Sequence, residues 1–274
     1  MTKQKFSVLI PVYKKEISEY FDAALKSVFL NTILPDEVVI CADGPLTPEL
    51  DDVINKYEKK YPNIIKTVRF TNNRGLGLTL HDGVLECSNE TIFRMDADDL
   101  CVKDRFEKQL DVIAKTNVDV LGSNITEYDE TMKNKFGLRK VPQTEYDIAK
   151  YSKRRNPMNH MTVCFKKSKV IEAGNYQDMK GFEDYYLWIR MIKMGFSFYN
   201  IQESLVNVRA GESMVGRRGG KGYLLQTIKF EKALKKNRYI SYKEYFENVC
   251  IRLASSMMPN MLRNKLYKTV LRGA

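Results

Sequence analysis

The sequence is poor in the groups that build disulfide or zinc scaffolds. Five cysteines occur in 274 residues, and two histidines and one tryptophan are equally sparse. Cys41, Cys87, Cys101, Cys164 and Cys250 are odd in number and far apart, with no C-x-x-C pair. That spacing indicates neither a zinc site nor a disulfide framework. Cys41, Cys87 and Cys164 sit among apolar neighbours and read as small hydrophobes in a reducing compartment. No stretch reaches the roughly 18 apolar residues expected of a membrane-spanning helix. The first apolar run begins by about residue 6. That leaves no room for a signal peptide, so a cytoplasmic location is expected. Internal repeats and low-complexity segments are also missing.

What is present is an alternation of two periods. Ser7-Val8-Leu9-Ile10-Pro11-Val12-Tyr13 is a short apolar run rich in β-branched residues and predicts a buried strand. From Glu16 the period changes: Ile17, Tyr20, Phe21, Ala24, Leu25, Val28 and Phe29 mark one face of a helix. A strand over Glu37–Cys41, a helix from about Pro48 to Tyr61 and a strand from Ile64 to Phe70 follow. The turn Asn72-Asn73-Arg74-Gly75, another helix and the strand Thr91–Met95 complete the series. This order predicts an α/β fold with a mostly parallel sheet and helices on both faces. With 43% apolar residues, the chain is long enough for one substantial core.

The last of these strands ends in Asp96-Ala97-Asp98-Asp99, ahead of a helix-like stretch starting near Val102. Three carboxylates so close together repel one another. A hard divalent cation, bound through oxygens alongside a substrate phosphate, would relieve that repulsion; a solvated acidic turn is the plain alternative. Asp43, Arg74 and the Asp96 cluster follow successive strands, and in such sheets ligands bind at the carboxyl ends of the strands.

Five segments in order resemble the inverting nucleotide-sugar glycosyltransferases of family 2, which have the GT-A fold. They are Ser7–Tyr13, Ala42-Asp43-Gly44, Asn73-Arg74-Gly75-Leu76-Gly77, Met95–Asp99 and Gly181-Phe182-Glu183-Asp184-Tyr185-Tyr186-Leu187-Trp188. The resemblance covers roughly residues 5 to 210. Asn156-Pro157-Met158-Asn159-His160-Met161-Thr162-Val163 and Arg217-Arg218-Gly219-Gly220 look like enzymes that build bacterial capsule, exopolysaccharide or O-antigen chains.

The resemblance implies roles residue by residue. Asp43 would accept a hydrogen bond from the uracil of a UDP-sugar, although Asp before Gly44 is also a common turn stabiliser. Pro11 and Tyr13 would wall the nucleotide pocket, and Glu16 would reach ribose or base or merely start a helix. Arg74 would meet a phosphate or base carbonyl, or sit solvated in its turn. Asp96 or Asp98 would touch the ribose, while Asp98 or Asp99 would hold Mn²⁺ or Mg²⁺ against the diphosphate. Asp184 would be the general base and Glu183 its acceptor-orienting neighbour; the plain reading is an acidic pair at a helix start. His160, Arg209, Arg217 and Arg218 would contact acceptor or phosphate, the last two from a glycine-flanked loop. Trp188 would stack on a sugar or belong to the core.

Charge divides the chain. Of its 45 basic and 34 acidic residues, residues 216–274 hold 14 and three, so the first 215 residues are formally neutral. A catalytic unit over 1–215 and a basic helical extension over 216–274 are therefore expected. Helices are predicted over Tyr223–Lys236, Ser241–Met257 and Asn260–Leu271. Their mixture of basic and apolar residues suits an anionic membrane surface, at roughly 1 kcal/mol per well-placed basic residue. No base-reading motif accompanies the charge, so nucleic acid is not an expected partner.

The function expected is metal-dependent transfer of a hexose from a UDP-sugar to a saccharide acceptor, expected to be lipid-linked, at the inner face of the cell membrane. GDP- or dTDP-sugar donors are the related alternative. A non-catalytic protein docking on membrane or nucleic acid, with a decayed site, is the alternative of another class. A nucleotidyltransferase would need a glycine-rich phosphate loop, and Pro11-Val12-Tyr13-Lys14-Lys15-Glu16 has no glycine.

Overall fold

The computed structural model describes residues 4–210 and 220–257. The predicted alternation opens the chain: β1 (Phe6–Val12), α1 (Ser18–Phe29), β2 (Glu37–Ala42), α2 (Pro48–Lys60), β3 (Ile65–Arg69), α3 (Leu76–Glu86) and β4 (Thr91–Arg94). Then come β5 (Leu100–Cys101), α4 (Arg105–Thr116), β6 (Val120–Tyr128), β7 (Lys135–Arg139) and α5 (Glu145–Tyr151). The remainder is β8 (Cys164–Lys166), α6 (Lys167–Glu172), α7 (Glu183–Lys193), β9 (Phe198–Arg209), α8 (Gly220–Lys236) and α9 (Tyr242–Met257).

Among the described residues, nine strands share one sheet in the order β3-β2-β1-β4-β8-β6-β9-β5, with β7 on β6. The β3-β2-β1-β4 portion is parallel, as is the long β6–β9 ladder; β8, β5 and β7 pair antiparallel. The sheet grows outward from β1 to β3 and then returns to place β4 on the other side of β1. That reversal falls between β1 and β4, and in open α/β sheets ligands usually bind beyond the carboxyl ends of strands at such a point.

Side chains alternate across β1. Val8 and Ile10 join α1, α2 and α4 in one buried layer, while Leu9 joins α3 and α7 in the other. Local signals set the helix starts. Thr47 caps α2 by accepting from the Leu50 N–H at 3.4 Å, and Pro48 needs no partner at the first helical position. Helix α7 has no side-chain cap, but Glu183 and Asp184 in its first turn complement the helix dipole.

Helix α8 packs on the main body. Fully buried Phe230 stacks on Phe182 at 4.5 Å and meets Tyr185 at 4.7 Å, within a cluster that also holds Met179, Ile189, Leu234 and Ile240. Helix α9 is tied to α8 by Asn248, whose amide donates to Glu231 at 3.0 Å and to the Lys153 carbonyl at 2.8 Å. The expected helix over 260–271 lies outside the described residues. Among the described residues, no helix is long and apolar enough to cross a membrane.

Because α8 closes the surface beneath α7, Phe230→Ala should cost about 3–5 kcal/mol, the range for emptying a buried phenylalanine site. Urea denaturation of the full chain measures it. A loss below about 1 kcal/mol would mean that α8 contributes little to the core.

Candidate active site

The strand ends assemble the site. Asp43 follows β2, the Asp96 cluster follows β4, and Pro11 lies near the end of β1 between them. Two strand spacings, roughly 10 Å, separate the β2 and β4 ends. Asp43 is buried and ties two loops together. Its carboxylate accepts the backbone N–H groups of Arg74 at 2.7 Å and Gly75 at 3.0 Å, and its carbonyl accepts from Asn73 at 3.2 Å. The turn-stabilising role is therefore present, and each carboxylate oxygen keeps a second lone pair for a ligand. Gly44 has φ +85°, and a Cβ there would lie 2.6 Å from the Asn73 nitrogen. The Asp43 loop can approach the Arg74 turn only because this residue has no side chain.

Arg74 stacks on Phe70 at 3.8 Å and pairs with Asp82 at 2.7 Å, so its side chain is oriented but still partly exposed. At the start of α3, a Cβ on Gly77 would stand 2.7 Å from the Gln177 carbonyl and 3.0 Å from the Glu183 side chain. This contact joins the Arg74 turn to the first turn of α7, bringing together two motifs about a hundred residues apart.

One carboxylate oxygen from each of Asp96, Asp98 and Asp99 lies within 4.8 Å of the others. Asp99 is almost fully buried. Burial first, then the Asp98 and Asp96 charges, push its carboxyl well above the usual range. An all-oxygen, crowded and anionic donor set of this kind fits a hard divalent cation. Asp98 and Asp99 would hold it, and the bound ion would supply charge neutralisation for a diphosphate.

Two arginines brace this turn. Arg209, expected at a phosphate, lies against the acidic turn: its backbone N–H donates to Asp99 at 3.1 Å and its Nε to the Asp98 carbonyl at 2.8 Å. Its Nη1 donates to the Glu130 carbonyl, and the guanidinium lies 4.0 Å from the Tyr20 ring centre. These bonds put the expected phosphate contact beside the acidic turn, whose backbone it helps to hold. Arg94, not among the expected residues, is 2% exposed and pairs with Asp96. A charged residue ending the apolar run Thr91-Ile92-Phe93 was the available signal for it.

Asp184 accepts from Asn156 Nδ2 at 2.5 Å, and Asn156 Oδ1 accepts the Met158 N–H at 3.2 Å. Burial raises the Asp184 carboxyl above its ordinary value, opposed by Asn156, the Tyr185 N–H, Arg94 and Arg139. Glu183 is also raised, chiefly by burial. His160 shares a 2.9 Å hydrogen bond with the Tyr176 hydroxyl, and burial followed by the Arg94 charge holds it well below its ordinary pKa.

Trp188 is a correction. It is fully buried, edge-on to His160, Tyr176 and Phe198 at 6.2–6.5 Å, and presents no face to a sugar. Its place one turn beyond Asp184 turns the ring into the second core layer instead. Tyr13 and Glu16 lie partly exposed in the turn after β1, closed by the Glu16 N–H to the Tyr13 carbonyl at 3.0 Å. Arg217 and Arg218 fall outside the described residues. Open surface hollows are lined by other side chains, one by Pro142, Asp147, Lys150 and Tyr151 and one between α1 and α2. Convergent chemistry, not depth, marks the site.

Residues 7–174 match the model of the family described as Glycosyl transferase family 2. The chain belongs to that family. It is a glycosyltransferase, and its relatives extend over its whole length. A UDP-Gal:alpha-D-GlcNAc-diphosphoundecaprenol beta-1,3-galactosyltransferase of Escherichia coli is 37% identical over 98% of this chain and 97% of its own. The amylovoran biosynthesis glycosyltransferase AmsE of Erwinia amylovora is 36% identical over 98% and 100%. Among solved structures, S. aureus TarS in complex with UDP-GlcNAc matches with TM-score 0.61 at 16% identity, over 96% of this chain and 70% of that one. The chain spans 44% of a longer TarS structure. PcManGT of Pyrobaculum calidifontis, in complex with GDP-Man and Mn2+, matches with TM-score 0.60 at 15% identity, over 96% and 72%. At such identities the likeness concerns the fold, which is GT-A.

The Gly44 contact generates a test. In the glycosyltransferase, Gly44→Ala should cost on the order of 1–3 kcal/mol, from the positive φ alone, and loosen the Asp43–Arg74 link. Thermal unfolding and nucleotide titration together check this. Wild-type values in both would show that the loop relaxes freely.

Proposed function

We propose that this glycosyltransferase moves a hexose from a UDP-sugar to a lipid-linked saccharide in cell-surface polysaccharide synthesis. The observation that carries the reading is the Asp96–Asp98–Asp99 cluster at the carboxyl edge of β4. The E. coli and Erwinia relatives support the donor and the polymer. Asp43 can accept from the uracil N3–H and equally from a guanine N1–H, so it is compatible with a UDP-sugar without choosing the base.

Asp184 takes the proton of the acceptor hydroxyl as that oxygen attacks the anomeric carbon, and the bond from that carbon to the diphosphate oxygen breaks. The configuration inverts because attack and departure lie on opposite faces. Asn156 holds one Asp184 oxygen, leaving the other for the hydroxyl. Glu183 orients the acceptor beside it. Asp96 and Asp43 fix ribose and base, Pro11, Tyr13 and Glu16 border the nucleotide, Arg74 faces its phosphates, and His160 contributes a neutral donor or acceptor near the incoming saccharide.

Purified protein, Mn²⁺ and a panel of nucleotide sugars, with nucleoside diphosphate release as readout, test the donor. Turnover with UDP-sugars and not GDP- or dTDP-sugars is expected, and the reverse would overturn the donor assignment. In the same assay Asp184→Asn should abolish transfer while UDP affinity stays within about twofold. Since the Asp184 pKa is raised, wild-type kcat should fall on acidification at a higher pH than a surface aspartate would give.

Helix α9 supports the membrane part of the proposal. Tyr242, Phe246, Cys250 and Leu253 recur at helical spacing and are all exposed, at 79%, 71% and 41% for the two aromatics and the leucine. The opposite side carries Glu244, Asn248 and Arg252, which bond to Lys153 and Arg154 of the main body. The helix is itself formally neutral, with Lys243 and Arg252 against Glu244 and Glu247, so it supplies the apolar stripe while the rest of residues 216–274 supplies the charge that suits an anionic leaflet. Phe246→Glu with Leu253→Glu should lower retention on phosphatidylglycerol vesicles and leave turnover of a water-soluble acceptor unchanged. Unaltered retention would place the membrane contact elsewhere.

A further inference from the structure

The segment 152–156 touches two parts of the molecule that the proposed reaction uses separately. At its ends it meets α7: the Asn156 amide donates to Asp184 at 2.5 Å, and the Tyr185 hydroxyl donates to the Ser152 carbonyl at 2.7 Å. Between them it meets α9. Asn248 and Arg252 donate to the carbonyls of Lys153 and Arg154 at 2.8 and 3.2 Å. Glu244 and Glu247 pair with the side chains of the same two residues at 3.1 and 2.7 Å. The exposed stripe of Tyr242, Phe246, Cys250 and Leu253 is on the far side of that helix. The segment therefore stands between the carboxylate read as the base and the surface read as facing the membrane.

Charge at this junction is unbalanced. Lys153, Arg154, Arg155 and Arg252 are four cations against the two carboxylates of Glu244 and Glu247, while Glu231, buried on α8, accepts from Asn248. Arg155 is the cation left over. It is exposed, and its guanidinium has no hydrogen bond or ion pair among the described residues. Its backbone is held, with the N–H donating to the Tyr151 carbonyl at 3.1 Å. The next Cα, about 3.8 Å on, belongs to Asn156, the residue that grips Asp184. A planar fork of N–H donors in that place matches a phosphate.

We propose that Arg155 binds the diphosphate link of a lipid-linked acceptor, which runs from its sugar at Asp184, past the 152–156 segment, to its lipid on the α9 stripe. This rests on the reading of Asp184 as the base and of the acceptor as lipid-linked. The order of parts agrees with the chemistry. In such an acceptor the charged link lies between sugar and hydrocarbon, as the basic segment lies between Asp184 and the apolar stripe. The width of one helix, about 10 Å, is the span left for the first lipid units. Lys153 and Arg154 serve to seat α9, and Arg155 is the cation that remains for the ligand.

The test titrates the full chain with undecyl diphosphate and with uncharged undecyl glucoside, while UDP and excess Mn²⁺ fill the donor site. Wild type, Arg155→Gln and Arg155→Lys are compared; the side chain is exposed and bonded only through its backbone, so the variants keep the fold. Arg155→Gln should weaken undecyl diphosphate binding about tenfold, the low end for losing a charge-assisted hydrogen bond, and leave undecyl glucoside binding as it was. Arg155→Lys should restore part of the loss. Equal diphosphate affinity in wild type and Arg155→Gln overturns the proposal, as does a wild type that does not bind undecyl diphosphate. Retention on phosphatidylglycerol vesicles separates the two sources of phosphate. If Arg155→Gln lowers retention and leaves undecyl diphosphate affinity intact, the arginine meets membrane headgroups and the proposal fails. The donor screen is independent of these titrations: UDP-sugar turnover with no effect of Arg155→Gln sinks this inference alone. An Arg155-dependent diphosphate affinity without such turnover supports it and sinks only the donor reading.

Discussion

Three carboxylates within 4.8 Å of one another repel, and much of the surrounding structure bears that repulsion. Arg94 pairs with Asp96 from inside the sheet, and Arg209 binds the Asp98 carbonyl and the Asp99 carboxylate from the end of β9. Even so, burial and its neighbours leave Asp99 holding a proton far more readily than an ordinary aspartate. The turn is therefore held in shape while staying short of positive charge. A divalent cation carrying a diphosphate would relieve that imbalance.

The fold transmits the arrangement through rigid pieces. Parallel pairing of β1 with β2 and β4 fixes Asp43 and the acidic turn on one edge. The Asp43 carboxylate then sets the Arg74 turn, and close contact at Gly77 sets the first turn of α7 against it. Asn156 completes the surroundings of Asp184. The links are hydrogen bonds, a buried ion pair and glycines packed too tightly for a side chain. Catalytic geometry here depends little on mobile surface groups.

The first half of this scheme was legible in the sequence because each strand there is short, apolar and followed by a clear change of period. The strand ends fell where the carboxylates were read, within about one residue for β1, β2 and β4. Later elements left weaker traces. β8 has only three residues and β5 two, too few for a period, and β6 is buried on both faces for most of its length, so it shows no alternation. Trp188 and Arg209 show why position in a motif does not give orientation: one side chain turns into the core and the other back onto the acidic turn. Arg94 went unread for the opposite reason. A lone arginine at the end of an apolar strand resembles a chain emerging into water until the tertiary structure covers it. In the tail, helix positions followed from composition, but the packing of Phe230 beneath α7 depended on contacts the sequence does not display.

The central claim is that the strand-end aspartates form one pocket gripping a metal ion and a nucleoside diphosphate. Anomalous diffraction from crystals grown with Mn²⁺ and UDP tests it most directly. The account predicts one strong manganese peak within coordination distance of Asp98 or Asp99, with the diphosphate on the same ion and the uracil beside Asp43. A manganese peak at other residues, or UDP bound away from β1 and β4, would contradict it.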